Sequence, residues 1–132
     1  MLQGNRRPGT PEDWLVRANG DLALAKVPLP EGAFYEDLCF HAQQAAEKAI
    51  KAVYVECGLV FRYIHDLDEL LTGLERKGVP IPQEVNDVGI LTTYAWEARY
   101  PGVSEPVTED EYREAVKVAQ KVVAWGKKVI RR

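Results

Sequence analysis

The chain has 132 residues, a length that suits one domain built around one hydrophobic core. Hydrophobic residues make up 46% of it and charged residues 28%, which is ordinary for a soluble globular protein. The formal net charge of −3 argues against a surface that attracts nucleic acid as a whole, without excluding a local basic cluster.

The sequence also argues against a membrane or secreted protein. No apolar run approaches the roughly 18 residues of a transmembrane helix, and the first ten residues lack the apolar stretch of a signal peptide. Cys39 and Cys57 lie about 27 Å apart along one predicted helix, so they cannot pair. Free thiols indicate a reducing compartment, and we expect a cytoplasmic protein. Few serines and asparagines, with many Val, Glu and Lys residues, favour a thermophilic source.

The first elements in the chain are an arm and a helix. Residues 1–9 are expected to form a flexible arm, and 10–132 a single helical domain. Thr10 is a suitable N-cap, so helix one is predicted from about Pro11 to Val27, where Pro28 ends it.

The second predicted helix runs from about Ala33 to Cys57, with Gly58 as its C-terminal stop. It is apolar around much of its circumference, which predicts a central position. Its stretch HAQQAAEKAIKA, residues 41–52, is rich in alanine, and such small side chains let neighbouring backbones approach closely.

Three further helices complete the pattern. A short third helix is predicted at about 66–77, where Asp66 and Glu69 form a capping box. The fourth is predicted at about 82–99, and a second capping box at Thr108 opens the fifth. No alternating strand pattern or hairpin turn occurs. The sequence therefore predicts an all-α, up-and-down bundle of four main helices plus one short helix.

Familiar catalytic and cofactor motifs are missing from the sequence. Two distant histidines and two cysteines do not provide zinc-ligand spacing. There is no glycine-rich phosphate loop, and the single serine, Ser104, has no nucleophile elbow around it. We therefore expect no metal and no cofactor.

A polar face on helix two is the first candidate site. His41, Gln44 and Lys48 are spaced three and four residues apart, so they share one side of the helix. They form either a solvated face or one wall of a cleft, and the spacing does not decide between these alternatives.

Three residues outside helix two complete the candidate set. Arg99 either neutralises the C-terminus of helix four or presents a guanidinium fork to a phosphate or carboxylate. Tyr100 follows it, immediately before Pro101. His65 either has no role beyond preceding helix three or faces Arg99 across a cleft, as in a phosphate-handling site.

Four blocks of the sequence resemble the HEPN family, the higher eukaryotes and prokaryotes nucleotide-binding domain. They are FHAQQAAEKAIKA, IHDLDELL, YAWEARYPG and TEDEYREAVKVAQKVVAW, in that order. The resemblance implies a helical bundle that forms homodimers and a partnership with a minimal nucleotidyltransferase protein, often as a toxin–antitoxin pair. It also implies a nucleotide or RNA ligand.

Matching the blocks residue by residue carries over a ligand-binding site, formed by Gln44, Lys48, His65, Arg99 and Tyr100. Many family members are metal-independent ribonucleases with an arginine five to seven residues before a histidine. Here the nearest arginine, Arg62, lies only three residues before His65. The departure favours a binding and interaction module without catalysis. The alternatives are a divergent ribonuclease toxin that uses His65 and Arg99, and a bundle that serves only dimerisation.

The expected homodimer has an independent basis in the aromatic residues. Trp96 and Trp125 fall off the inward stripes of their predicted helices. Exposed apolar side chains of this size commonly mark an interface, although both could simply cover the ends of the bundle.

Overall fold

The computed structural model describes residues 7–95, 101–102 and 105–131 of the chain. These ranges contain five helices. They are α1 (Pro11–Ala25), α2 (Tyr35–Glu56), α3 (Leu67–Arg76), a 3₁₀ helix (Gln83–Ala95) and α4 (Glu109–Arg131). No strand occurs in these ranges. The predicted all-α bundle of four main helices and one short helix is confirmed.

Three of the helix starts, those of α1, α3 and α4, follow from capping groups in the sequence. The Thr10 side chain accepts a hydrogen bond from the backbone N–H of Asp13, the third residue of α1. The Asp66 side chain accepts one from the backbone N–H of Glu69. Thr108 and Glu111 cap each other reciprocally at the start of α4. These bonds satisfy N–H groups that have no partner inside the helix.

Helix α2 lies at the centre of the bundle and packs against every other helix. Its interior alanines are all fully buried: Ala42, Ala45, Ala46, Ala49 and Ala52. Helix α4 comes close enough that a Cβ on Gly126 would lie 3.4 Å from the carbonyl oxygen of Ala49. The alanine-rich stretch therefore allows close helix–helix contact, as predicted.

The fourth element differs in type from the predicted α-helix. It is a 3₁₀ helix over Gln83–Ala95, while residues 96–100 lie outside the described ranges. Its sequence combines a glycine with many β-branched residues, which form α-helix poorly. Gly89 also sits so close to α3 that a Cβ there would lie 2.5 Å from a carboxylate oxygen of Asp68. Poor α-helix propensity and close packing together account for the tighter coil.

Two sequence expectations concern residues that the structure treats differently. Trp125, expected to be off the inward stripe, is buried at 6% exposure and lines a shallow hollow with residues 79–82. The expectation that Trp125 offers exposed aromatic area is therefore wrong. Trp96 and residues 1–6 of the expected arm lie outside the described residues.

Substituting alanine for glycine should have opposite effects at two helical positions. Gly20 in α1 has open space where a Cβ would stand, so Gly20→Ala should stabilise the fold by about 0.5–1 kcal/mol. A Cβ on Gly73 in α3 would collide with the hydroxyl of buried Tyr54, which donates a hydrogen bond to the Leu70 carbonyl. Gly73→Ala should therefore destabilise by about 1–3 kcal/mol. Urea unfolding of both variants tests this, and equal stabilisation would contradict the close contact at Gly73.

Candidate functional site

A buried carboxylate at the middle of α2 gathers polar side chains from two parts of the chain. Oε1 of Glu47 accepts hydrogen bonds from Nε2 of Gln43 at 2.9 Å and from Nδ1 of His65 at 2.8 Å. Oε2 accepts one from Nζ of Lys51 at 2.8 Å. Gln44 extends the set, since its Nε2 donates to Oε1 of Gln43 at 2.7 Å. We call these five residues the Glu47 network.

Lys51 also lies close to three aromatic rings. Its ammonium group lies 5.0 Å from the ring centre of Phe61 and 5.9 Å from those of Trp14 and Tyr63. The lysine side chain is only 7% exposed. Both the ring faces and the ion pair with Glu47 stabilise a cation that is largely excluded from water.

The network keeps Glu47 ionised. Burial by itself would raise the pKa of Glu47, because it disfavours the charged form. The hydrogen bonds from Lys51, His65 and Gln43 outweigh this effect, and the pKa of Glu47 lies below its ordinary value. The site therefore contains a fixed negative charge beneath the imidazole of His65.

That charge determines how His65 presents its ring. An ionised carboxylate only accepts hydrogen bonds, so Nδ1 of His65 carries the proton and donates to Glu47. In the neutral ring the other nitrogen, Nε2, is then an acceptor. The His65 side chain is 61% exposed, and no group in the described ranges bonds to its Nε2. His65 is thus an oriented imidazole whose Nε2 has no partner among the described residues.

A second histidine–carboxylate–lysine cluster joins α2 to α1. In this cluster, Oδ1 of Asp21 in α1 is hydrogen-bonded to Nδ1 of His41 at 3.0 Å, and Oδ2 accepts a hydrogen bond from Nζ of Lys48 at 2.6 Å. Asp21 is largely buried, while His41 and Lys48 are about one-third exposed. This Asp21 cluster fastens α1 to α2 through charges that both helices supply.

The five predicted site residues fall into three groups. Gln44 and His65 belong to the Glu47 network and are joined through Gln43 and Glu47. Lys48 belongs to the Asp21 cluster instead. The last two, Arg99 and Tyr100, lie outside the described residues, so their place relative to His65 stays a prediction.

The sequence reasoning missed the centre of this arrangement. Gln43, Glu47 and Lys51 are absent from the predicted site residues, yet Gln43 is fully buried and Glu47 and Lys51 nearly so. The available signal was their position. The three residues recur every four positions on a helix that was predicted to be apolar around much of its circumference, so burial of that stripe was foreseeable.

Other reactive groups do not add to the site. Burial raises the pKa of the Cys39 thiol to about 12, with smaller contributions from Glu36 and Glu111, so this cysteine is a poor nucleophile. Within the described ranges, no cluster of three or more His, Cys, Asp or Glu side chains could hold a metal ion. None of the helices described is both long and apolar enough to cross a membrane.

Comparison with known proteins adds a family and two solved structures. The HEPN domain model matches residues 11–130. The structure of TT1696 from Thermus thermophilus is 31% identical, with a TM-score of 0.79 over 92% of this chain and 98% of that one. The structure of ST0689, described as an archaeal HEPN homologue, is 30% identical, with a TM-score of 0.73 and the same coverage.

A curated relative carries a functional name. "Putative toxin MJ1304" of Methanocaldococcus jannaschii is 45% identical over 49 residues, which is 37% of this chain. The matched stretch spans about a third of the length of that relative, 32%.

Proposed function

Because this chain belongs to the HEPN domain family, we propose that it is the helical member of a toxin–antitoxin type pair. In this proposal it binds a nucleotide and a minimal nucleotidyltransferase protein, and catalyses nothing alone. The similarity to a protein named as a toxin supports the first part. The second part is the expectation drawn from the sequence blocks, and the Glu47 network supports its ligand-binding element.

The observation that carries the proposal is the hydrogen-bond chain from Gln44 through Gln43 and Glu47 to His65. Burying a charged group is costly unless it is fully paired. For the stability of the fold, a hydrophobic residue at the same position is usually at least as favourable. Here the buried charge holds two partly exposed polar groups in fixed orientations. Perturbed, oriented ionisable groups of this kind are characteristic of functional sites.

The ligand chemistry follows from what these groups can offer. Neutral His65 presents an acceptor at Nε2, and protonated His65 presents a donor suited to a phosphate oxygen. Gln44 uses Nε2 to reach Gln43, which leaves its amide oxygen to accept from a base or sugar. We further propose that Arg99 pairs with phosphate, Tyr100 stacks on the base and Lys48 adds positive charge.

A homodimer remains part of the proposal, on a different basis from the tryptophans. Val60 is 95% exposed and Tyr63 90% exposed, both in the connection between α2 and α3. Side chains of this kind are candidates for burial against a second copy or the nucleotidyltransferase.

A divergent metal-independent ribonuclease is the second candidate, and one observation favours it. His65 donates through Nδ1 to a buried carboxylate, which is the arrangement that orients a histidine for acid–base work at Nε2. Arg99 would supply the charge next to the scissile phosphate.

Binding of ATP to the purified protein is the first test. We expect millimolar ATP to raise the melting temperature, because a ligand of the native state stabilises it by mass action. Co-purification from the native source should recover a nucleotidyltransferase. No thermal shift at millimolar ATP, together with no such partner, would contradict the binding module. If the wild-type protein cleaves RNA in the presence of EDTA, and if His65→Ala and Arg99→Ala each abolish this cleavage, the ribonuclease is the correct function instead.

A further inference from the structure

A hollow between α3 and the α2–α3 connection lies apart from the Glu47 network and has the composition of a ligand site. It has a volume of about 400 Å³, within the range of roughly 300–1,000 Å³ typical of small-molecule sites. None of Gln44, Lys48 and His65 lines it. We call it the α3 hollow.

The α3 hollow has one apolar part and one charged part. The apolar part is formed by Leu59, Val60, Ile64 and Leu70, with Tyr54. The charged part continues into a smaller recess of about 190 Å³, lined by Arg62, Glu69, Thr72 and Arg76. Lys77 adds a further cation to the larger hollow. A ligand that fills both parts must carry an apolar or planar body and a compact polar group.

The charges identify that polar group as an anion. Arg62, Arg76 and Lys77 bring three positive charges to the hollow, in a chain whose net charge is −3. Glu69 offsets one, through its ion pair with Arg62 at 3.3 Å. Neither Arg76 nor Lys77 forms an ion pair in the described part of the chain. Two cations are therefore free to meet a dianion, and Thr72 adds a hydroxyl donor.

Neutralisation of the α3 C-terminus accounts for only part of this clustering. Arg76 lies in the last turn of α3 and Lys77 is its C-cap, where positive charges suit the helix dipole. Arg62 comes from the α2–α3 connection and not from the helix, so the helix dipole has no bearing on its position.

We propose that the α3 hollow binds a small phosphomonoester, with its phosphate between Arg62, Arg76 and Lys77 and its body over Tyr54 and Leu59. This site is additional to the one around His65 and does not depend on the proposed function. Arginine side chains with a hydroxyl donor are well suited to a phosphate dianion.

Phenyl phosphate is a suitable probe, because it joins a planar body to a phosphate dianion. In titrations followed by NMR, we expect amide shifts confined to Tyr54 and to residues 58–64 and 69–77. Arg76→Ala and Lys77→Ala should each weaken binding about tenfold, the usual effect of losing a charged hydrogen bond. Lys121→Ala removes the same charge from an exposed position on α4 and should leave binding unchanged. Glu69→Gln should tighten it, since a like charge is removed.

Two results would overturn the proposal. One is an absence of saturable shifts at these residues up to tens of millimolar probe. The other is equal weakening by Arg76→Ala and Lys121→Ala, which would mean unspecific charge attraction. His65→Ala separates this site from the proposed function, because the variant should leave phenyl phosphate binding at the α3 hollow intact even if it abolishes ATP binding.

Discussion

Glu47→Leu should lower the free energy of unfolding by about 3–5 kcal/mol, because it leaves the Lys51 ammonium buried without its counter-charge. The two groups are 5% and 7% exposed and 2.8 Å apart. Gln43 and His65 lose their acceptor as well. Urea unfolding at pH 7 measures the change directly, and the melting temperature should fall by about 10 °C or more.

A double-mutant cycle isolates the ion pair from the rest of the loss. Lys51→Met alone should also be costly, since it leaves Glu47 unpaired. The double variant Glu47→Leu/Lys51→Met should cost clearly less than the sum, because hydrophobic residues of similar volume can replace a buried pair. Additive costs would mean that the pair is not coupled, contrary to the geometry.

The exposed pair Glu109–Arg113 on α4 provides the matched control. It has the same i,i+4 spacing, but its side chains are 54% and 69% exposed. Glu109→Leu should cost no more than about 1 kcal/mol, as is usual for surface ion pairs and charges near a helix start. A loss as large as that of Glu47→Leu would show that burial is not the cause.

The pH dependence of the free energy of unfolding provides a second test of the role of Glu47. The pKa of Glu47 is lower in the folded protein than its ordinary value, which is about 4.3 when unfolded. A carboxyl group whose pKa is lower in the folded protein stabilises the fold at any pH above its unfolded-state pKa. This stabilisation is lost as the pH falls through the folded-state pKa. The stability difference between wild type and Glu47→Gln should therefore be greatest at neutral pH and narrow below about pH 4.

The helices were predictable because their determinants are local. Capping groups such as Thr10 and Asp66 act within one helical turn, and the alanines of α2 follow a simple period. The fourth helix was predicted as an α-helix because its apolar period resembles that of one, whereas its poor α-helix propensity and the packing of Gly89 against α3 give a 3₁₀ helix. Local pattern therefore determined element order but not the coil type.

The centre of the site was less predictable, because it depends on a contact between residues 18 positions apart. The bond from His65 to Glu47 requires the α2–α3 connection to fold back over the middle of α2. Periodicity places Gln44 and Lys48 on one face but does not reveal that Asp21 engages Lys48 from α1. Sequence identified which residue types matter, and tertiary contact decided which of them act together.

If the proposed site binds ATP, His65→Ala should weaken that binding about tenfold or more, since it would remove the proposed hydrogen bond from His65 to a charged phosphate. The loss should not come from unfolding, because the side chain is 61% exposed and its truncation leaves Lys51 in place on Glu47. Isothermal titration of the folded variant, checked by circular dichroism, gives the dissociation constant.

His41→Ala is the matched control, because it removes the other histidine, which also bonds to a carboxylate through Nδ1 but belongs to the Asp21 cluster. His41→Ala should leave the ATP affinity within about threefold of wild type. The corresponding change in binding free energy is well under about 1.4 kcal/mol, which is the value for a tenfold change. If the protein cleaves RNA in EDTA, His65→Ala should slow cleavage by about 10²–10⁴-fold, as expected for loss of a general acid or base, and His41→Ala should not. An equal loss of ATP affinity, or of RNA cleavage rate, in His65→Ala and His41→Ala would contradict the prediction that the hydrogen bond to Glu47 gives His65 a special role.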